Sequence, residues 1–107
     1  MKAVYPCVIS WDKDDETYYV TFPDLEEIQT DGTDLYDAVE KGEDALNLLL
    51  LNYESEHEGN KPPAPSDIKR LDLKGNERAT LIRADTDSYS GLLYRLRREE
   101  RYRNPVR

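Results

Sequence analysis

The chain has one histidine and one cysteine, and any nucleophile or general base would be sought there first. His57 falls in Glu54-Ser55-Glu56-His57-Glu58-Gly59, a polar segment in which a lone imidazole reads as a solvated loop residue. Cys7 sits in an alternating apolar stretch with no basic neighbour to lower its pKa and no Cys-x-x-Cys or Cys/His partner. It reads as a core thiol. The run Asp12-Lys13-Asp14-Asp15-Glu16 has the look of a calcium loop. Counted from Asp12, however, position six is Thr17 where glycine is needed, and position twelve is Pro23 where a bidentate glutamate is needed. A two-metal nuclease needs carboxylates that converge. Asp24, Asp31 and Asp34 are the candidates, but strand and turn aspartates ordinarily face water. There is no glycine-rich phosphate loop and no Gly-x-Ser-x-Gly. These residues describe a binding protein without a cofactor or metal rather than an enzyme.

Charge is the stronger signal. The net charge of −8 divides unevenly: residues 1–67 carry 4 basic and 17 acidic side chains, and residues 68–107 carry 11 basic and 6 acidic. An acidic body repels nucleic acid and attracts basic proteins. The basic tail holds Arg95, Arg97, Arg98, Arg101 and Arg103, which could meet phosphates, but no helix-turn-helix pattern accompanies them. A solvated helix end is the plainer reading. With 37% apolar and 36% charged residues in 107, the chain is expected to fold as one domain with a small core and an appendage. No run approaches the ~18 apolar residues of a membrane span. No secretion signal opens the chain, and the single cysteine fits a reducing cytoplasm.

The elements that would position these groups follow from periodicity. Ala3 to Trp11 alternates as a strand with Tyr5, Cys7, Ile9 and Trp11 on one face. Pro6 cannot donate to a ladder, so this strand is expected at an edge, or with the proline nitrogen facing out. A polar hairpin leads to a second strand with Tyr18, Val20 and Phe22 on one face, closed by Pro23 and a turn at Asp24. Residues 28–30 make a short third strand. Thr33 is the expected cap of a helix whose stripe is Leu35, Ala38, Val39, Gly42, Ala45, Leu46, Leu49, Leu50 and Tyr53. Residues 54–67, with three prolines, form a linker, and residues 79–84 a fourth strand. Thr86 is the expected cap of a second helix with the stripe Tyr89, Leu92, Leu93 and Leu96, which either dimerises the protein or folds back on the sheet. The fold class is thus α+β: a three- to four-stranded, mainly antiparallel sheet under one long helix in residues 1–85, with an amphipathic, Arg-rich helix or tail in 86–107.

Tyr5-Pro6-Cys7-Val8-Ile9, Asp14-Asp15, the run Tyr18 to Leu25, Thr30-Asp31-Gly32-Thr33, Ala38 and Ala45-Leu46 come in the order and spacing of a known pattern. In that pattern the chain resembles the HicB-type antitoxins over roughly residues 3–89. It departs at Glu26-Glu27-Ile28, where the family often has Pro-Gly-Cys. It also runs into Gly91-Leu92-Leu93-Tyr94-Arg95, where most members continue into a DNA-binding module, so operator binding is not carried over. The resemblance implies a truncated RNase H-like ββ(β)αβ fold without nuclease activity. It implies as partner a small basic HicA-type toxin, a ribonuclease that cleaves messenger RNA. Tyr19, Asp24, Glu26, Glu27, Gln29 and Asp31 are the expected contact residues. Homo-oligomers are expected through Tyr89, Leu92, Leu93 and Leu96, and weak nucleic-acid contact through Arg95, Arg97 and Arg98. The competing readings are an orphan regulatory or assembly module of the same fold, and a nucleic-acid-binding regulator that uses the basic tail.

Overall fold

A computed structural model describes residues 1–56 and 61–89, without the side chains of 55 and 56. Strand β1 spans Lys2–Asp12, β2 Thr17–Thr21, β3 Gln29–Gly32 and β4 Arg78–Asp85; helix α1 spans Leu35–Glu56, and Ile68–Arg70 form one turn of 3-10 helix. The four strands make one antiparallel sheet in the order β3-β2-β1-β4. The expected fold class is therefore the observed one. The four predicted strands and the long helix are present, with ends moved by one to three residues: α1 runs to Glu56, and β3 starts at Gln29. Most of the predicted second helix lies outside the described residues.

Alternation puts Tyr5, Cys7 and Ile9 of β1, Val20 of β2, and Ile82 and Ala84 of β4 on one face. Helix α1 covers that face with Ala38, Leu46 and Leu50, and Phe22, Leu25 and Ile28 close the core from the β2–β3 connection. Two successive turns, with the Leu25 N–H on the Phe22 carbonyl (3.0 Å) and the Ile28 N–H on the Leu25 carbonyl (3.1 Å), fold that connection inward.

Strand β1 is interior, not an edge. The N–H of Thr86 meets the carbonyl of Met1 at 2.9 Å. From there the antiparallel alternation aims the odd residues of β1 at β4 and the even ones at β2. The Pro6 nitrogen thus faces the β2 flank, where pairing begins only at Val8 opposite Thr21. Continuing that register would set Pro6 against Pro23. Neither can donate a hydrogen bond, so the ladder stops there.

Both helix caps sit one residue from their predicted places. Asp34, not Thr33, caps α1: its Oδ1 accepts the Asp37 N–H at 2.7 Å, while the Asp37 carboxylate accepts the Thr33 N–H at 3.0 Å. Residues 86–89 are helical, and Asp85 rather than Thr86 accepts from Ser88 at their start. The hydroxyl of Thr86 turns inward and donates to Glu54 Oε1 at 2.6 Å, joining the end of β4 to the end of α1. Leu35 and Val39, expected on the packed stripe of α1, are exposed (Leu35 55%). They line a groove with Ile9, Trp11 and Tyr18 of the sheet rather than packing flush against it. Asn47 takes a buried place instead, its Nδ2 donating to the Glu43 carbonyl and its Oδ1 accepting the Asp85 N–H. No described helix is long and apolar enough to cross a membrane.

Candidate interaction surface

The face of the sheet turned away from α1 carries the acidic groups. Asp12 Oδ1 accepts the N–H groups of Asp14 (2.9 Å) and Asp15 (3.0 Å), which folds the β1–β2 hairpin over itself. Glu16 completes the turn in the left-handed region at φ 51°. This aims the Asp15 carboxylate at Tyr19, whose hydroxyl donates to it. Across the sheet Tyr19 is flanked by Ser10 and by Asp31, and Thr21 by Gln29. The Asp15 carboxylate holding its proton, with lesser contributions from desolvation and the nearby Asp15, Asp12 and Asp31 charges, pushes the Tyr19 phenol up to about 12. Tyr19, Thr21, Gln29 and Asp31 line a shallow groove of about 340 Å³. The strip offers carboxylates and a 38% exposed aromatic ring. Such a surface suits a cationic protein.

Of the expected contact residues, the structure brings Tyr19, Gln29 and Asp31 together. Glu26 and Glu27 stand exposed on the turn beyond the strands. Asp24 is committed elsewhere: its carboxylate accepts both the backbone N–H (2.9 Å) and the hydroxyl of Ser66, pinning the returning linker to the end of β2. Tyr5 holds the same linker by donating to the Pro63 carbonyl at 2.5 Å. The sequence reading places Asp12 and Asp15 in a polar hairpin, rejects them as calcium ligands and does not assign them to this strip. The hairpin places Asp15 four residues before Tyr19, and that spacing was the available signal. It also missed an apolar groove of about 460 Å³ at the same end of the sheet, lined by Ile9, Trp11, Tyr18, Leu35, Val39 and Ala79 among others. There Trp11 and Tyr18 stack at 4.8 Å with a 55° tilt.

The enzymic candidates separate. Burial pushes the Cys7 thiol up to about 11, only partly offset by a hydrogen bond from the Thr80 backbone, so it is an inert core group. Asp24 holds the linker, Asp31 lies on the open face and Asp34 caps α1. Among the described residues no three His, Cys, Asp or Glu side chains are grouped to hold a metal. His57, Leu92, Leu93, Leu96, Arg95, Arg97 and Arg98 lie outside the described residues; Tyr89 is described and half-buried.

A small antiparallel sheet under a single helix, with an acidic open face, defines an interaction module. Residues 4–74 match the family model described as the HicB-like antitoxin of bacterial toxin-antitoxin systems. The chain belongs to that family. Among solved structures it is similar to a toxin-antitoxin complex from Streptococcus pneumoniae, at 25% identity and a TM-score of 0.73, over 83% of this chain and 73% of that one. No curated protein matches the chain in sequence.

Proposed function

We propose that this protein neutralises a small basic HicA-type toxin, a ribonuclease that cleaves messenger RNA, by covering the surface with which the toxin grips RNA. The observation that supports this reading is the acidic strip of Asp12, Asp15 and Asp31 around Tyr19, on a chain of an antitoxin family. A protein built to hold phosphates presents cations, and a strip of fixed carboxylates meets them as phosphates would. Charge complementarity speeds the encounter and fixes its register. The protein acts by occlusion and carries out no chemistry of its own.

The test is co-expression with the product of the adjacent reading frame, which this reading expects to be a small basic protein. Growth arrested by that protein alone should be restored by the wild type. A D15K/D31K variant, shown to be folded by circular dichroism, should fail to restore it, and E26K/E27K should weaken rescue less. Full rescue by D15K/D31K would remove the strip from the interface. A neighbouring protein that is harmless alone would remove the toxin reading.

A further inference from the structure

The two edges of the sheet differ. Strand β3 has four residues, carries Asp31, and has α1 packed closely on it: a Cβ at Gly32 would lie 2.3 Å from the Ala38 nitrogen. Strand β4 has eight residues and hydrogen-bonds only to β1 in the sheet, with α1 and the 3-10 turn Ile68–Arg70 packed near it. The alternation set by Thr86 and Met1 turns the N–H and C=O groups of Ala79, Leu81, Arg83 and Asp85 away from β1. The chain closes this outer edge at both ends. The Asp85 N–H goes to Asn47 Oδ1 at 3.1 Å. The Glu77 N–H goes to the Lys74 carbonyl at 3.0 Å, and the Glu77 carbonyl accepts from Arg78 at 2.9 Å. Between these stops, the N–H groups of Ala79, Leu81 and Arg83 have no partner among the described residues. Leu81, the middle residue, is 54% exposed, and Val4 on the adjoining strand is 46% exposed. An open edge with a central exposed leucine is a pairing template that folded proteins otherwise blunt.

We infer that β4 pairs antiparallel with β4 of a second copy about a two-fold axis through Leu81, forming a dimer with one eight-stranded sheet. The occupant is a second copy because the free segment is symmetric about Leu81. Only this register uses all three free N–H groups on both strands, with Ala79 opposite Arg83, Leu81 opposite itself and Arg83 opposite Ala79. That makes about six main-chain hydrogen bonds, two for each hydrogen-bonded pair. Arg83 of each copy then lies diagonally across from Glu77 of the other, an opposite-charge neighbour. Leu81 meets its own copy beside Val4, so the exposed apolar side chains of the open face join into one strip. At β3 the same operation would bring two Asp31 carboxylates toward each other. The acidic strip on β2 and β3 lies at the far side of the sheet and remains free in the dimer.

The test is register-specific crosslinking of the full chain. Directly opposed residues of a hydrogen-bonded pair have Cα atoms about 5.5 Å apart, within disulfide range. Leu81→Cys should therefore form a covalent dimer under mild oxidation, with Cys7 buried and unreactive. Ala79→Cys or Arg83→Cys alone should not crosslink, whereas the double variant A79C/R83C should. In sedimentation, the wild type should be a dimer. Leu81→Pro, which removes the outward N–H together with the leucine side chain and leaves the ladder to β1 intact, should be a folded monomer. A monomeric wild type, a dimer unaffected by Leu81→Pro, or equal crosslinking by all three single cysteines would each overturn the proposal. None of these readouts depends on a toxin, so the dimer and the proposed function fail separately.

Discussion

Tyr19 shows how much one neighbour can decide. Its phenol is exposed on the sheet face, yet the Asp15 carboxylate accepts its proton and holds its pKa near 12. Ionising the ring would lose that bond and set a phenolate against three carboxylates. Among the eight tyrosines, the Tyr19 ring resonance should titrate close to pH 12 by NMR and fall toward 10, the ordinary phenol value, in Asp15→Ala. A Tyr19 that titrates near 10 in the wild type would mean that Asp15 does not sit over it. The same residue-scale reasoning makes Cys7 silent: a buried thiol pushed up to about 11 has little thiolate at neutral pH, so alkylation should wait for unfolding.

Elements dock here through two glycines with opposite tolerances. At Gly32 a side chain would strike the backbone of Ala38, with a Cβ 2.3 Å from its nitrogen and 2.5 Å from its Cα, and backbone cannot step aside. Gly32→Ala should cost about 3 kcal/mol, the upper part of the usual overpacking range. At Gly42 a Cβ would meet the Val20 Cγ1 at 3.4 Å and Phe22 at 3.9 Å, ordinary contact with side chains that can adjust. Gly42→Ala should therefore recover most of the about 1 kcal/mol that glycine costs inside a helix. For a domain of this size that raises Tm by about 5 °C. Thermal unfolding of the two variants should move in opposite directions. A destabilised Gly42→Ala would show that α1 lies closer to β2 than described.

At the scale of the molecule, three carboxylates bind its parts together. Thr33's N–H lowers the Asp37 pKa, Thr86's hydroxyl and the N-terminal ammonium lower that of Glu54, and Ser88's N–H lowers that of Asp85. A carboxylate with a depressed folded pKa stabilises the fold above its unfolded value and loses that contribution as pH falls through the folded one. The windows open below 4.5 for Glu54 and below 3.8 for the two aspartates. Asp44, raised by desolvation, acts in the opposite sense, as does relief of repulsion in the acidic body. The comparison with a variant isolates the three groups. In urea, the loss of stability between pH 7 and pH 3 should be smaller for D37N/E54Q/D85N than for the wild type.

Periodicity and charge in the sequence determined much by themselves. The strand faces of Tyr5, Cys7, Ile9, Val20 and Phe22, the long helix with Ala38, Leu46 and Leu50 inward, and the acidic body are local properties. They depend on side-chain alternation and composition, which any single window of sequence contains. The ordered run from Tyr5 to Leu46 also carried the family resemblance. What the sequence left open depended on which strand lies beside which. Pro6 is in an interior strand because its nitrogen faces the place where Pro23 ends the ladder, a pairing set between residues seventeen apart. Thr33 and Thr86 looked like caps because threonine is a good one. Their neighbouring aspartates took that role once the sheet fixed where each helix starts, which freed Thr86 to hold Glu54. Leu35 and Val39 fit a helical stripe, yet they border the apolar groove beside Ile9, Trp11 and Tyr18 instead of closing on the sheet, and so stay exposed. Asp24 and Asp31 are alike in sequence. Only the return of the linker to Ser66 engaged the first and left the second on the open acidic face, because a carboxylate satisfied by two donors inside the chain has less left to offer a partner.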